Sequence, residues 1–156
     1  MPTISRFDVL IIGSGAAGMS LALQLPPQLK VAVLSKTQLG SGSTLWAQGG
    51  MAAVLHDRDS VQAHVTDTLA AGAGLCHEPA VQFTVGRSRQ MVDWLVSQGM
   101  HFDLREDQQD AEFREFHLTT EGGHSHRRVI HAADQTGRAV SEVLASRVAA
   151  ASNITL

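Results

Sequence analysis

Residues 7–36 read FDVLIIGSGAAGMSLALQLPPQLKVAVLSK, and this stretch decides the fold. The apolar run at residues 7–12 favours a β-strand, and a glycine-rich turn follows it. Residues 16–25 favour a helix that ends at two prolines. The continuous apolar run at residues 30–35 is typical of a strand buried on both faces of a parallel sheet. The stretch therefore predicts a βαβ unit with a right-handed crossover.

The turn of this unit carries three glycines, Gly13, Gly15 and Gly18, in the order GSGAAG. In a strand–turn–helix context the first glycine allows the tight turn and the second lets a diphosphate approach the backbone. The third allows the helix to pack closely on the strand. Free N–H groups and a partial positive charge at the helix N-terminus favour the same anion, so the turn predicts a dinucleotide site.

The end of the second strand departs from the usual dinucleotide pattern. That pattern places Asp or Glu about 20 residues after the glycines, where the carboxylate binds ribose hydroxyls. Ser35 and Lys36 stand there instead. A cation fits a 2′-phosphate and hence NADP, the stem and backbone of a lysine fit an adenosine pocket, and an exposed lysine without a ligand is the third alternative. The residues alone leave all three open.

Glycines and helical periodicity organise the middle of the chain. Residues 37–50, TQLGSGSTLWAQGG, are too rich in glycine for regular structure and predict a binding loop. Helical spacing at residues 59–69 and 78–96 predicts an inserted helical layer. Residues 119–128, TTEGGHSHRR, predict a second site loop.

The last part of the sequence returns to the opening pattern of helix and strand. Helical spacing before residue 151 is followed by an apolar, β-type run, so the chain stops inside an element, which predicts a truncated polypeptide. We expect three segments. Residues 1–55 hold the first βαβ unit and the cofactor loop, residues 56–133 the helical layer and a substrate-side loop, and residues 134–156 the return helix and next strand of the incomplete first domain.

Composition and charge exclude several classes of function. The 156 residues carry 12 Lys and Arg against 15 Asp and Glu, and a net charge of -3 gives no field that holds nucleic acid or an acidic membrane. No apolar run approaches the roughly 20 residues that span a bilayer, and the start lacks the features of a signal peptide. With Cys76 as the single cysteine, the cytoplasm is the expected compartment.

Histidines and arginines cluster between residues 124 and 131, but they do not predict a metal site. His124 and His126 supply only two ligands, and neither HExxH nor a pair of CxxC motifs is present. Arg127 and Arg128 either attract a dicarboxylate or a cofactor phosphate, or are solvated cations on a loop.

Three motifs occur in one order: GSGAAG, then SK with GSTLWAQGG, then HLTTEGGHSHRRVIHAADQTG. Together they resemble the fumarate reductase and succinate dehydrogenase flavoprotein family, over residues 7–156. The resemblance implies an α/β fold, an FAD-binding Rossmann-type parallel sheet with an inserted helical or capping region that is truncated at its C-terminal end. It also implies FAD rather than NADP, and members several times longer than this chain.

The resemblance assigns cofactor contacts residue by residue. Covalent members carry a histidine before the threonine of the AQGG segment, whereas Ser43 stands there, so the implied FAD is non-covalent. Lys36 is placed near the adenosine ribose. The contacts of the glycine turn are Gly13, Ser14, Gly15, Ala16, Ala17 and Gly18. Those along the diphosphate and isoalloxazine are Ser43, Thr44, Leu45, Trp46, Ala47, Gln48, Gly49 and Gly50.

Glu121 separates this sequence from the dicarboxylate-converting members. Those members carry an apolar residue, often Phe, before the corresponding Gly-Gly, whereas Glu121 precedes Gly122 and Gly123. A carboxylate favours the α-ammonium group by which aspartate differs from succinate. Glu121 is therefore the predicted catalytic residue: it binds the α-amino group and accepts its proton as hydride leaves C2 for the flavin.

The function implied is oxidation of L-aspartate to iminoaspartate with oxygen or fumarate as acceptor, the first step of NAD biosynthesis. Quinolinate synthase is the expected partner or metabolic neighbour. The alternatives are a dicarboxylate-converting flavoprotein subunit, an FAD-binding fragment without activity, and an NADP-dependent reductase.

Overall fold

The computed structural model describes residues 4–105 and 115–156. The chain divides into two compact units. The first unit comprises Met1–Gln48 and Gly137–Leu156, and the second comprises Gly49–Thr136.

The first unit is built on a parallel sheet. Strands β1 (Val9–Ile12), β2 (Val31–Leu34) and β5 (Ile154–Thr155) lie in the order β1-β2-β5, and both pairs are parallel. Helix α1 (Ala16–Gln24) follows β1 and precedes β2, and β1 pairs with β2 in register from Val9 opposite Val31. The α/β fold and the parallel pairing of the predicted βαβ unit are confirmed.

The two faces of this sheet differ in exposure. Ile11, Val31 and Val33 are buried and cluster with Ala22 of α1. On the opposite face Ile12 is 81% exposed, and Leu10 and Leu34 are also exposed. The apolar run at residues 30–35 predicts a strand buried on both faces, which is wrong for Leu34, because nothing in the described part of the chain covers that side chain.

Helix α5 (Thr136–Ala150) is the return helix that the sequence predicts, and it buries one apolar face. Val140, Leu144 and Val148 are buried on it, at spacings of four residues. At the start of this helix, the N–H of Ala132 donates to the Thr136 hydroxyl at 3.1 Å.

The second unit is mainly helical. It contains α2 (Val61–Ala71), α3 (Glu78–Gly86) and α4 (Ser88–Ser97), and the strands β3 (Met51–Ala52) and β4 (Val129–Ile130) pair antiparallel. The single helix predicted over residues 78–96 is wrong. The chain breaks at Arg87, whose φ of −106° and ψ of 1° are not helical, directly after a glycine of low helix propensity.

An irregular hairpin precedes β4. Thr119 forms an isolated antiparallel bridge with Val129, so residues 120–128 make the connecting loop. Strands of one or two residues are too short for the alternation that marks a strand in sequence, which is why the sequence does not predict β3 and β4. No helix in the described part of the chain is long and apolar enough to cross a membrane.

Candidate functional site

The glycine turn between β1 and α1 depends on the absence of side chains. Gly13 has a φ of +112°, a conformation that other residues rarely adopt. A Cβ on Gly18 would lie 2.0 Å from the Gly13 oxygen and 3.3 Å from the Ile11 side chain. The third glycine therefore brings the helix against the strand, as the motif predicts.

The start of α1 meets the loop at residues 37–48. The N–H of Ala16 donates to the Thr44 hydroxyl at 3.2 Å, and a Cβ on Gly15 would lie 3.6 Å from the same oxygen. Thr44 is held in a short 3₁₀ helix, Ser43–Trp46, although the glycine content of this segment predicts no regular structure. The first unit thus brings two of the predicted cofactor motifs together.

A pair of hydroxyls joins the glycine turn to the end of β2. The Oγ atoms of Ser14 and Ser35 lie 2.7 Å apart, and Ser14 is buried. A hydroxyl therefore occupies the position where the usual pattern has a carboxylate. Lys36 beyond it is exposed.

Helix α5 holds the same loop at two points. Its Ser141 hydroxyl donates to the Gly40 carbonyl, and the Gly137 N–H donates to the Ala47 carbonyl, both at 2.9 Å. A Cβ on Gly137 would lie 2.1 Å from the backbone carbonyl oxygen of Thr44. No local pattern in the sequence indicates this contact, because Thr44 lies about 90 residues earlier in the chain.

These observations test whether the first unit suits an anionic dinucleotide. The turn leaves open space beside Gly13, the Thr44 hydroxyl borders Gly15, and α1 begins directly after the turn. Ser14 and Thr44 add hydroxyl donors, and Trp46 presents an aromatic ring that is 73% exposed. Space, dipole and hydrogen-bonding groups all fit the diphosphate and ring system of FAD.

Two predicted cofactor residues fall in the second unit. A Cβ on Gly50 would lie 2.2 Å from the Ile130 oxygen, so this glycine lets β3 and β4 approach closely. A Cβ on Gly49 would have no heavy atom of the described residues within 4 Å. Their contact with the cofactor stays a prediction.

Glu121 lies in the 120–128 loop of the second unit, with its side chain exposed. Its carbonyl accepts the N–H of His124 at 3.2 Å, and Gly123 has a φ of +84°. The Gly-Gly pair therefore forms a tight turn directly after Glu121.

Arg128 lies at the end of this loop and has no solvent exposure, so the interpretation as a solvated cation is wrong. Its Nε and Nη2 donate to the two carboxylate oxygens of Asp59, each at 2.8 Å, and its Nη1 donates to Asp67 at 2.6 Å. Burial alone lowers the pKa of Arg128, but the hydrogen bonds to both carboxylates outweigh it and raise this pKa overall.

The pKa values of the two carboxylates, Asp59 and Asp67, shift in the opposite direction to that of Arg128. Burial raises the pKa of Asp59, but the hydrogen bonds from Arg128 and from the Ser60 amide lower it overall. Hydrogen bonds from the amide and hydroxyl of Ser125, followed by Arg128, hold the pKa of Asp67 far below its usual range. Asp59 precedes α2 and Asp67 lies on it, and no local pattern in the sequence pairs either carboxylate with Arg128.

His64 lies on α2 beside this cluster, which also includes His124. The two imidazole rings meet edge to face at 5.5 Å, and His64 Nδ1 is buried without a partner among the described residues. Burial, followed by the charges of Arg128 and His124, lowers the pKa of His64. Residues 4–105 and 115–156 contain no group of three or more His, Cys, Asp or Glu that could hold a metal.

A cavity of about 570 Å³ opens beside the loop in the second unit. Its lining includes the cations Arg58 and Arg127 and the carboxylates Asp59 and Glu115, and Glu121 does not belong to that lining. The cavity and the predicted catalytic carboxylate are therefore separate features of this unit.

Comparisons with known proteins agree on one family. The model of the family described as FAD binding domain matches residues 8–156. The L-aspartate oxidase of Pseudomonas aeruginosa is 58% identical over 97% of this chain and 28% of the relative. That of Yersinia pestis is 54% identical over 96% of this chain and 28% of the relative. The chain therefore spans a little over a quarter of these relatives.

Among solved structures, a quinol fumarate reductase flavoprotein of E. coli superposes with a TM-score of 0.87. It is 30% identical, and the match covers 97% of this chain and 25% of that chain. This similarity confirms the FAD-binding α/β fold.

Proposed function

This chain belongs to the FAD-binding-domain family, and from that premise we propose that it carries the cofactor-binding part of an L-aspartate oxidase. The observation that carries the proposal is the similarity to relatives of that name, at 58% and 54% identity across nearly the whole chain. Because the chain spans 28% of those relatives, the proposal concerns the activity of the whole protein.

The residues of the first unit hold the cofactor. The glycine turn and the N-terminus of α1 bind the diphosphate, the hydroxyls of Ser14 and Thr44 donate hydrogen bonds to it, and Lys36 lies by the adenosine ribose. Ser43 offers no imidazole nitrogen for attachment, so binding is non-covalent. Bound FAD supplies the acceptor for a hydride, and the protein supplies position and electrostatics.

Glu121 recognises and deprotonates the substrate. Oxidation of aspartate to iminoaspartate removes a hydride from C2 and one proton from the α-ammonium group, while the new double bond forms between C2 and nitrogen. The Glu121 carboxylate binds the ammonium group before the reaction and accepts that proton during it. Oxygen or fumarate then removes the two electrons from the protein.

Two other functions compete with this one. A succinate- or fumarate-converting flavoprotein is supported by the structural similarity to quinol fumarate reductase, but Glu121 disfavours it, because succinate has no ammonium group to pair with a carboxylate. An FAD-binding module without activity would retain flavin and show no reduction by aspartate. A flavin spectrum distinguishes both from an NADP-dependent reductase, the alternative that Lys36 leaves open. A cytoplasmic location and quinolinate synthase as partner stay predictions.

The test is anaerobic addition of L-aspartate to the whole protein, with succinate as the control substrate. We expect aspartate alone to bleach the flavin absorbance. For Glu121→Gln, loss of a hydrogen bond to a charged group should lower kcat/KM for aspartate by about 10- to 100-fold.

Fumarate has no ammonium group, so its reduction by the same variant should change by less than about threefold. Glu142→Gln, at an exposed position of α5, is the matched control. Equal losses with aspartate and fumarate would exclude the proposed role of Glu121.

A further inference from the structure

One carboxylate oxygen on α2 binds the loop that carries Glu121. Asp67 Oδ2 accepts hydrogen bonds from the Ser125 N–H at 2.8 Å and from the Ser125 hydroxyl at 2.7 Å. It also accepts a hydrogen bond from Arg128 Nη1 at 2.6 Å. Three donors from the loop and its last residue thus converge on a single atom.

The loop is fixed at its base and at its tip. At its base, Thr119 and Val129 pair through the isolated bridge. At its tip, Asp67 holds Ser125, and the backbone bond from the His124 N–H to the Glu121 carbonyl carries this restraint back to Glu121. The Ser125 anchor is therefore one tight turn away from the predicted catalytic carboxylate.

The anchor itself is rigid. Arg128 is fully buried and holds both oxygens of Asp59, so the guanidinium that orients Asp67 cannot rotate without breaking two charge-assisted hydrogen bonds. The rings of His124 and His126, on either side of Ser125, have Nδ1 atoms 3.4 and 3.3 Å from the same guanidinium. A site residue keeps its position when the residues that support it are fixed, and this cluster fixes the backbone from which the Glu121 side chain extends.

We propose that Asp67 is a positioning residue for Glu121, and that its bonds to Ser125 set the preference of the site for α-amino dicarboxylates over plain dicarboxylates. The inference rests on the proposed function of Glu121. A displaced Glu121 loses its contact with the α-ammonium group, whereas a dicarboxylate without that group loses nothing at this point. A defect in the anchor should therefore act selectively on the amino-acid substrate.

The experiment compares three variants of the whole protein with bound FAD. Asp67→Ala removes the anchor, Ser125→Ala removes the hydroxyl bond alone, and Asp67→Asn keeps an amide oxygen as acceptor. Gln62→Ala, an exposed position on the same helix, is the matched control. For each protein, kcat and KM are measured for aspartate oxidation and for fumarate reduction.

We expect Asp67→Ala to lower kcat/KM for aspartate by about 10- to 100-fold, because misplacement of a site residue by about 1 Å has effects of this size. Fumarate reduction should change by less than about threefold. Ser125→Ala should show the same selectivity with a smaller loss, and Asp67→Asn should recover part of the activity with aspartate. Amide hydrogen exchange at residues 120–127 should be faster in Asp67→Ala than in Gln62→Ala.

The outcomes separate this inference from the function on which it rests. If Glu121→Gln is selective for aspartate but the Asp67 and Ser125 variants lose both activities equally, the role of Asp67 is only structural and the inference is wrong. Unchanged aspartate kinetics together with faster loop exchange would also overturn it. If Glu121→Gln itself is not selective, the proposed role of Glu121 fails and this inference fails with it. Should Asp67→Ala not fold, Ser125→Ala and Asp67→Asn decide the question.

Discussion

The two compact units hold their loops by opposite means. In the first, the carbonyls of Gly40 and Ala47 accept hydrogen bonds from α5, and the missing side chain of Gly137 lets the segment approach that helix. In the second, the 120–128 loop is held by charged groups that converge on Arg128. The position of the first loop is therefore sensitive to added side-chain volume, and that of the second to the loss of a charge.

The difference follows from how each interaction depends on its surroundings. Close backbone contacts are governed by short-range repulsion, so an added methyl group is felt and a distant charge is not. A buried charge cluster stabilises the fold only while each member keeps its partners, because a single unpaired charge carries the full cost of its lost hydration. Substitutions of matched size should accordingly have different effects in the two units.

The largest expected effect is at Arg128. Arg128→Met keeps the length of the side chain but removes the guanidinium from Asp59, whose side chain is 2% exposed. The buried carboxylate then keeps only the Ser60 amide and the His126 imidazole, 3.6 Å away, as partners among the described residues. Removal of one partner of a buried ion pair typically costs about 3–5 kcal/mol of unfolding free energy. Urea denaturation followed by circular dichroism measures this loss.

Arg127→Met is the control, since the neighbouring arginine is exposed and its Nε donates to the Leu118 carbonyl rather than to a carboxylate. Its loss should stay below about 1.5 kcal/mol. Similar losses for the two arginines would show that the buried charge does not hold the second unit together.

A smaller effect is expected at Gly137. The Cβ of Gly137→Ala would lie 2.1 Å from the backbone carbonyl oxygen of Thr44 and 2.6 Å from that of Ala47. Because both distances are shorter than van der Waals contact, α5 or the loop must move. Overpacking of this kind costs about 1–3 kcal/mol. Because the displaced loop carries predicted FAD contacts, purified Gly137→Ala should also contain less bound flavin per polypeptide.

Gly86→Ala is the matched control for this substitution. Gly86 ends α3, and a Cβ there would meet no heavy atom of the described residues within 4 Å. Alanine is the better helix former, so this variant should be neutral or more stable by up to about 1 kcal/mol. If both variants were equally stable and equally loaded with flavin, contact with α5 would not determine the loop.

The sequence is sufficient for the first unit wherever the signals are local. The order of apolar run, glycine turn, helix and apolar run predicts β1, α1 and β2 within one or two residues of their observed bounds. The positions of Gly13 and Gly18 in the motif also predict the tight turn and the close helix packing. Each of these features is decided by residues close together in the chain.

The missed features depend on residues far apart in the chain. The sequence does not pair Arg128 with Asp59 and Asp67, because these partners lie more than 60 residues earlier. Nor does the sequence indicate the close approach of Gly137 to the backbone of Thr44, which lies about 90 residues earlier. Periodicity and propensity carry no information on such pairs, so the charge cluster of the second unit is visible only in the structure.

The smallest effect is a change in pH dependence at His64. The pKa of His64 is lowered in the folded protein, first by burial and then by the charges of Arg128 and His124, and the unfolded chain binds the same proton near the ordinary value of 6.5. The unfolded state therefore takes up this proton first as the pH falls, and the unfolding free energy decreases below about pH 6.5.

His64→Leu removes the proton-binding group, so the loss of stability between pH 7 and pH 5.5 should be smaller than in the wild type. Urea denaturation at the two pH values measures it, with His101→Leu at an exposed position as control. If His64→Leu lost as much stability as the wild type, burial of a neutral imidazole beside the charge cluster would not contribute to the pH response.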